Sequence, residues 1–129
     1  MKKRKTTEDY LKTIYMLSDK GEVRGVDIAK ELRVTKPTVC VSLKELEAEG
    51  YLYMTQERTV ILTDTGKRIA KDVMERNKVF RRLLLSLGVD KETAANDACE
   101  MEHAVSPESF EALKQMIGKD AECERNGLK

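Results

Sequence analysis

Several residue types are scarce in this 129-residue chain, and each scarcity argues against a class of protein. There is no tryptophan, and no apolar run approaches the roughly 20 residues of a transmembrane helix. The basic residues 2–5 lead into Thr-Thr-Glu-Asp instead of an apolar segment, so the start does not resemble a secretory signal. We therefore expect a cytoplasmic protein with no membrane partner.

Cysteine and histidine are also few. Cys40, Cys99 and Cys123 are an odd and widely spaced set, which argues against a disulfide framework. We expect Cys40 to be a small buried or half-buried residue and Cys123 to be a dangling thiol. His103 is the only histidine, and no nucleophile–base pair or glycine-rich loop accompanies it. We therefore expect no enzyme and no small-molecule substrate.

The charge is distributed unevenly although the formal net charge is only +1. Residues 1–72 carry 15 Lys and Arg against 12 Asp and Glu, whereas residues 73–129 carry 9 against 11. A surface that faces phosphates should therefore lie in the first part of the chain.

The first fifty residues have the pattern of three helices. Apolar residues at three- and four-residue spacing predict a first helix within 6–20, with Thr7 as its N-cap, and a second helix over 26–32. Thr35 and the proline two residues later predict the start of a third helix, which Gly50 closes. Two helices joined by such a short turn resemble a helix-turn-helix.

A predicted β-hairpin follows, because 51–55 and 59–63 are β-prone runs separated by three polar residues. We interpret this hairpin as the wing that follows the helix-turn-helix. The fold class that we predict is mainly α with a small β-hairpin: an N-terminal winged helix-turn-helix followed by a helical domain.

The second part of the chain reads as helical throughout. A long apolar pattern predicts a helix over 66–87, and a second helix should run over 90–104. Ser106, followed by proline and glutamate, predicts the start of a last helix that ends near Gly118. We expect the polar tail 119–129 to be frayed or disordered.

The helix-turn-helix pattern predicts a DNA contact. The second helix of this motif presents its first residues to base edges in the major groove. Here the residues in question are Thr35, Lys36, Pro37, Thr38 and Ser42. Arg58, at the wing tip, could reach a flanking backbone or the minor groove. The alternative is a module that contacts proteins, but helix, turn, helix and wing occur in the order that a reader of DNA needs.

A group of ligand-type residues lies in the second part of the chain. Cys99, Glu102 and His103 have the spacing that brings a thiolate, a carboxylate and an imidazole to one face of a helix. A lone histidine on a helix is more often a packed or surface residue than a ligand. Asp9 becomes a fourth donor only if the fold brings the two helices together.

Five segments together resemble the family of iron-dependent (diphtheria-toxin-repressor) and manganese-transport regulators. The similarity covers roughly residues 6–118. The matching segments are Thr-Glu-Asp-Tyr-Leu at 7–11, Asp-Ile-Ala at 27–29, Pro-Thr-Val at 37–39, Leu-Thr-Asp-Thr-Gly at 62–66 and Ala-Cys-Glu-Met-Glu-His at 98–103, followed by Ser106.

The resemblance implies a homodimer held by its C-terminal helices and a metal that bridges the first helix to the helix bearing Cys99. Asp9, Cys99, Glu102 and His103 match the primary metal positions of the family. It further implies a DNA-binding domain over 1–72, a dimerisation and metal-binding domain over 73–129 with a flexible tail, and no third, SH3-like domain.

The resemblance leaves the metal open between Fe(II) and Mn(II), with Zn(II) or Co(II) as substitutes in vitro. Asp9 is similar to the manganese-sensing members and Cys99 to the iron-sensing ones. A carboxylate favours hard ions such as Mn(II), and a thiolate favours softer ions. Lys12, Asn77 and Arg81 stand where relatives carry second-metal donors or acidic residues, so a second site would be degenerate. Arg81 or Lys12 could instead supply a fixed positive charge.

The resemblance implies a repressor of metal-uptake genes. A metal that links the two helices would favour the dimer that binds a palindromic operator in double-stranded DNA. The alternative is a metal-independent winged-helix regulator that senses oxidants through Cys99 or Cys123. Such a regulator would bind DNA fully in the presence of a chelator.

Overall fold

The computed structural model of the protein describes residues 2–125, with side chains for residues 4–117. The elements in chain order are α1 (Lys2–Ser18), α2 (Gly25–Leu32), α3 (Lys36–Ala48), β1 (Leu52–Met54), β2 (Val60–Leu62), α4 (Asp64–Ser86), α5 (Lys91–Met101) and α6 (Pro107–Arg125). This confirms the predicted fold class. The contacts divide the chain into two compact units, of which the first ends at Val73 and the second begins at Met74.

The first unit is built around one apolar core. Helix α1 contacts α2 and β2, and α3 contacts α2 and β1. The side chains at its centre are Leu11, Ile14, Ile28, Val39, Leu43, Leu46, Leu52 and Val60. Their spacing by three or four residues along each helix turns one face of that helix into this core.

The turn between α2 and α3 is set by local backbone preferences. Helix α2 ends at Leu32, and its C-cap Arg33 adopts the left-handed conformation with φ of 57°. Thr35 is the N-cap of α3, since its hydroxyl oxygen accepts a hydrogen bond from Thr38 N at 3.3 Å. Pro37 lies in the first turn, where no backbone N–H is needed. The predicted start of α3 is therefore confirmed.

The wing is a short antiparallel hairpin in which Leu52 pairs with Leu62 and Met54 pairs with Val60. Arg58 closes its tip in the left-handed region with φ of 63°, and its backbone N–H donates to Thr55 O at 2.9 Å.

Thr63 joins the hairpin to α4. Its hydroxyl donates to Gly50 O at 2.7 Å, and the same oxygen accepts from Gly66 N at 3.2 Å, which satisfies one of the free N–H groups of the first turn of α4. The backbone of Gly66 passes so close to Tyr51 O that a Cβ atom at position 66 would collide with that oxygen.

The second unit has its own small core, made by residues from α4, α5 and α6. Phe80 and Phe110 meet edge to face with ring centroids 5.7 Å apart, and Ala98 is buried beside them. Helix α5 begins at its N-cap Asp90, and α6 begins after Ser106, whose hydroxyl accepts from Ser109 N at 3.2 Å. The predicted start of α6 is thus confirmed.

The first and last helices extend beyond their predicted ends. Helix α1 begins at Lys2, so Thr7 lies inside the helix and is not its N-cap. Helix α6 continues through Gly118 to Arg125, since an interior glycine costs only about 1 kcal/mol relative to alanine and most of the residues after it tolerate a helix. The predicted end of the last helix near Gly118 is therefore wrong, and the flexibility of the tail stays a prediction. Residues 126–129 and the Cys123 side chain lie outside the described part.

None of the helices within the described residues is both long and apolar enough to cross a membrane.

Candidate metal and DNA-binding sites

The ligand-type residues of the second unit lie where α5 ends. Helix α5 stops at Met101, and Glu102 is its C-cap, with helical angles and its N–H bonded to Ala98 O. His103 follows in a tight turn, with its N–H bonded to Glu100 O at 3.4 Å. The expectation that α5 runs to about residue 104 is wrong, because the chain tightens into a turn after Met101.

Glu102 and His103 form a buried acid–imidazole pair. The Glu102 side chain is completely buried, the His103 side chain is 5% exposed, and Glu102 Oε2 lies 3.1 Å from His103 Nε2. A buried carboxylate requires a compensating charge or hydrogen bonds. Carboxylate and imidazole are also ligands that divalent transition metals accept, so this pair fits such an ion.

Cys99 differs from this pair in its surroundings. It lies in the last turn of α5, but it is exposed, and its sulfur accepts a long hydrogen bond of 3.7 Å from Asn77 Nδ2 on α4. Asn77 is one of the three residues assigned to a degenerate second site. Cys99, a predicted ligand of the primary site, is therefore in contact with Asn77, a predicted residue of the degenerate second site.

The remaining predicted site residues lie on α1 and α4. Asp9 and Lys12 are half-buried on α1 in the first unit. Arg81 is exposed on α4, and it forms no ion pair with any residue that the structure describes. The suggestion that Arg81 supplies a fixed charge beside a ligand carboxylate receives no support from this position.

The buried cation of the second unit is Arg76, which sequence reasoning missed. It is 8% exposed, its Nη1 donates to Glu102 O at 3.3 Å, and its guanidinium lies 6.0 Å from the centroid of the Phe110 ring. The spacing could have revealed it, because position 76 continues the buried face of α4 between Val73 and Phe80.

Asp90 caps the other end of α5 and has a shifted pKa. Hydrogen bonds from Thr93, first from its hydroxyl and then from its backbone N–H, lower the pKa of the Asp90 carboxyl below its ordinary value of 3.8. A carboxylate with a lowered folded pKa stabilises the fold above its unfolded pKa, and this stabilisation is lost as the pH falls through the folded value.

We therefore expect Asp90→Ala to lower the thermal midpoint of unfolding at about pH 7, and the difference from the wild type to shrink below about pH 3. Thermal unfolding across this range measures both effects. If the difference in the midpoint of unfolding between the variant and the wild type stayed constant down to the lowest pH, the charge of Asp90 would not contribute to the stability of the fold.

Helix α3 presents most of the predicted DNA-contacting residues to solvent. Thr35, Lys36, Pro37 and Thr38 are all exposed in its first turn. Ser42 is only half-buried and, together with Tyr10 and others, lines a cavity of about 40 Å³ between α1 and α3.

Two uncharged side chains extend this exposed face beyond the predicted set. Cys40 is exposed, so the expectation of a buried or half-buried thiol is wrong. Its place is taken in the core by Val39 and Leu43, and the neighbouring Val41 is 58% exposed. The α3 pattern identified the core positions, but it did not show that an apolar side chain at 41 would face outwards.

The N-cap of α3 can be tested by substitution. We expect Thr35→Ala to lower the free energy of unfolding by about 1 kcal/mol, because Thr38 N loses its acceptor. Thr35→Ser keeps a hydroxyl and should remain close to the wild type. Urea unfolding of the three proteins measures the difference, and equal losses for alanine and serine would contradict the capping role.

The fold and the buried acid–imidazole pair together define a class. A winged helix-turn-helix with an exposed α3, followed by a helical unit with an acid–imidazole turn, is the architecture of a DNA-binding regulator with a metal-binding domain.

Comparison with known proteins identifies the family. The family model described as the iron dependent repressor, N-terminal DNA binding domain, matches residues 4–60. The model described as the iron dependent repressor, metal binding and dimerisation domain, matches residues 63–128. The chain belongs to the iron-dependent repressor family. It is a metal-dependent, DNA-binding transcriptional regulator with a dimerisation domain, and not an enzyme.

Individual relatives agree with this. The transcriptional regulator MntR of Salmonella typhimurium is 40% identical over 124 residues, which cover 93% of this chain and 79% of the relative. The regulator MntR of Bacillus subtilis is 34% identical over 111 residues, which cover 85% and 78%. The crystal structure of the manganese-activated repressor ScaR in its apo form matches with a TM-score of 0.74 at 30% identity, and the match covers 84% of this chain and 53% of that one.

Proposed function

We propose that this protein represses metal-uptake genes when a divalent cation is held by Asp9, Cys99, Glu102 and His103. The observation that carries the proposal is the buried contact of 3.1 Å between Glu102 and His103, in a domain whose family binds metal. The cation would supply the positive charge that draws these donors into one ligand set.

The distribution of the four residues along the chain suggests how metal and DNA binding are coupled. Asp9 belongs to the first unit and the other three residues belong to the second. When donors from both units share one ligand set, fewer arrangements of the units remain. If the favoured arrangement places the two DNA-binding units of the dimer at the spacing of two operator half-sites, the dimer binds DNA more tightly. Because the coupling is reciprocal, DNA strengthens metal binding by the same factor.

We propose Mn(II) or Fe(II) as the metal, with Zn(II) or Co(II) as substitutes in vitro. Two carboxylates and an imidazole suit Mn(II), and the relative ScaR is a manganese-activated repressor. The Cys99 thiol suits a softer ion. A ligand set without the exposed thiol would favour Mn(II), so a Cys99→Ala variant that kept its Mn(II) affinity would support manganese.

The DNA contact is proposed to lie on the first turns of α3 and at the wing. Thr35, Lys36, Pro37 and Thr38 are exposed for base and phosphate contacts, and Arg58 is exposed at the wing tip. Ser42 would need to turn from the cavity that it lines. A homodimer places two α3 helices on two half-sites, which makes the operator a palindrome or near-palindrome. We propose a cytoplasmic location, where such a regulator meets the chromosome.

The test uses the full chain and duplexes that it selects from a randomised library in Mn(II). Fluorescence anisotropy then measures affinity for the selected duplex in Mn(II), in anaerobic Fe(II) and in chelator. We expect the metal to raise the affinity about 5- to 150-fold, the usual range of allosteric coupling. Equal binding in chelator, together with loss of binding after peroxide treatment, would replace this proposal with the oxidant-sensing alternative.

A further inference from the structure

We propose that Arg76 is a positioning residue that holds the turn of Glu102 and His103 in place before metal arrives. The inference rests on the proposed function for its consequence, but the contact that carries it lies wholly within the second unit. Arg76 is on α4, its hydrogen-bond acceptor Glu102 O is at the end of α5, and the ring below it, Phe110, is on α6.

The acceptor is one that the local structure leaves in need of a donor. The last carbonyl groups of a helix have no partner within the helix and carry its negative dipole end. Glu102 is the C-cap of α5, and Arg76 Nη1 donates to its carbonyl oxygen at 3.3 Å. A cation at this end satisfies the carbonyl and stabilises the helix terminus.

Because Arg76 is buried, loss of this contact would be strongly destabilising. A guanidinium that is 8% exposed has given up most of its water, and its planar group lies 6.0 Å from the centroid of the Phe110 ring. Lysine could supply a charge and N–H donors, but its ammonium is a compact point charge and lacks the planar guanidinium that lies near the ring. The arginine therefore ties the end of α5 to α4 and α6 at one point.

This tie has a consequence for the ligands. The side chains of Glu102 and His103 leave the backbone within one residue of the anchored carbonyl, so fixing that carbonyl limits the positions that both can adopt. When the turn is already ordered in the metal-free protein, metal binding does not lose free energy to ordering it. Residues that orient ligands in this way typically change metal affinity about 10- to 100-fold when they are replaced.

The test compares Arg76→Met with Lys78→Met in the full-length protein. Both changes remove one positive charge from α4, but Lys78 is exposed. The first measurement is amide hydrogen exchange in metal-free protein. We expect Arg76→Met to reduce protection of the His103 and Ala104 amides, which bond to Glu100 O and Met101 O, by about tenfold or more. Lys78→Met should leave it unchanged.

The second measurement is the affinity for Mn(II), obtained by competition with a fluorescent chelator. We expect a loss of about 10- to 100-fold for Arg76→Met, a partial recovery for Arg76→Lys and a change of less than about twofold for Lys78→Met. If Arg76→Met does not fold, Phe110→Leu, which removes the ring but keeps an apolar side chain, should reduce protection of the same two amides.

The outcomes separate this inference from the proposed function. Unchanged protection of the His103 and Ala104 amides in Arg76→Met, or in Phe110→Leu where that replaces it, overturns the positioning role. Equal metal affinities for Arg76→Met and Lys78→Met overturn it as well. A wild-type protein that binds no metal overturns the proposed function, whereas the exchange measurement still decides the role of Arg76.

Discussion

Replacing His103 with alanine is expected to remove the response of DNA binding to metal. His103 is the only histidine and its side chain is almost fully buried beside Glu102, so no other imidazole can take over its place in the proposed ligand set. In Mn(II) the variant should bind the selected duplex as weakly as the metal-free wild type. The expected loss is about 5- to 150-fold, which equals the whole coupling between metal and DNA.

Asp97→Ala is the matched control, because it removes an exposed acidic side chain from the same helix as Cys99 without touching the proposed ligands. It should retain the full metal response. The affinity of His103→Ala in chelator must also equal that of the wild type in chelator, which shows that its DNA-binding unit is intact. A variant in which Mn(II) still raised DNA affinity by the wild-type factor would remove His103 from the ligand set.

The fold could be predicted from the sequence largely because its decisive signals are local. Thr35 and Ser106 each cap a helix with their own hydroxyl, and such caps depend on only three or four neighbouring residues. The β-prone runs around Arg58 likewise contain their own turn. Apolar residues at three- and four-residue spacing were sufficient to assign the core faces of the helices.

The ends that were missed lack such signals. Helix α1 starts at Lys2 because lysine and arginine are good helix formers, and an apolar pattern is not needed to extend a helix by one turn. Helix α6 continues past Gly118 because most of the residues that follow this glycine also tolerate a helix. A change in apolar content therefore does not mark the end of either helix, because the backbone follows the helix propensity of the residues.

The sequence could indicate which residues have ligand chemistry, but it could not predict their surroundings. The spacing of Cys99, Glu102 and His103 indicated ligand chemistry, yet it could not show that the thiol is exposed while the carboxylate is buried. That difference depends on the turn after Met101 and on what packs around it. The spacing along α4 places position 76 on the buried face, but it could not show that Glu102 O, 26 residues away, is the acceptor that accommodates the Arg76 guanidinium there.

Among glycine-to-alanine substitutions in the first unit, Gly66→Ala is expected to cause the largest loss of stability. The Cβ of alanine would collide with Tyr51 O, and this oxygen cannot easily withdraw because it accepts a hydrogen bond from Thr63 N at 3.0 Å. Thr63 also bonds to Gly50 O and to Gly66 N, so backbone groups are fixed on both sides of the clash.

Two opposing effects set the size of this loss. Alanine favours a helix over glycine by about 1 kcal/mol, whereas forcing atoms into a fixed backbone costs about 3 kcal/mol or more when neither side can move. The clash should therefore dominate, and urea unfolding should show a net loss of at least about 2 kcal/mol.

Gly25→Ala separates the clash from the general effect of the substitution. Gly25 also lies in the first turn of a helix, but a Cβ there would meet Val39 at 3.7 Å, which is an ordinary van der Waals contact. This variant should match or exceed the wild type in stability. If Gly66→Ala were as stable as Gly25→Ala, the hairpin and α4 would have to be free to separate at Thr63, and the close junction between wing and helix would not be a fixed feature of the fold.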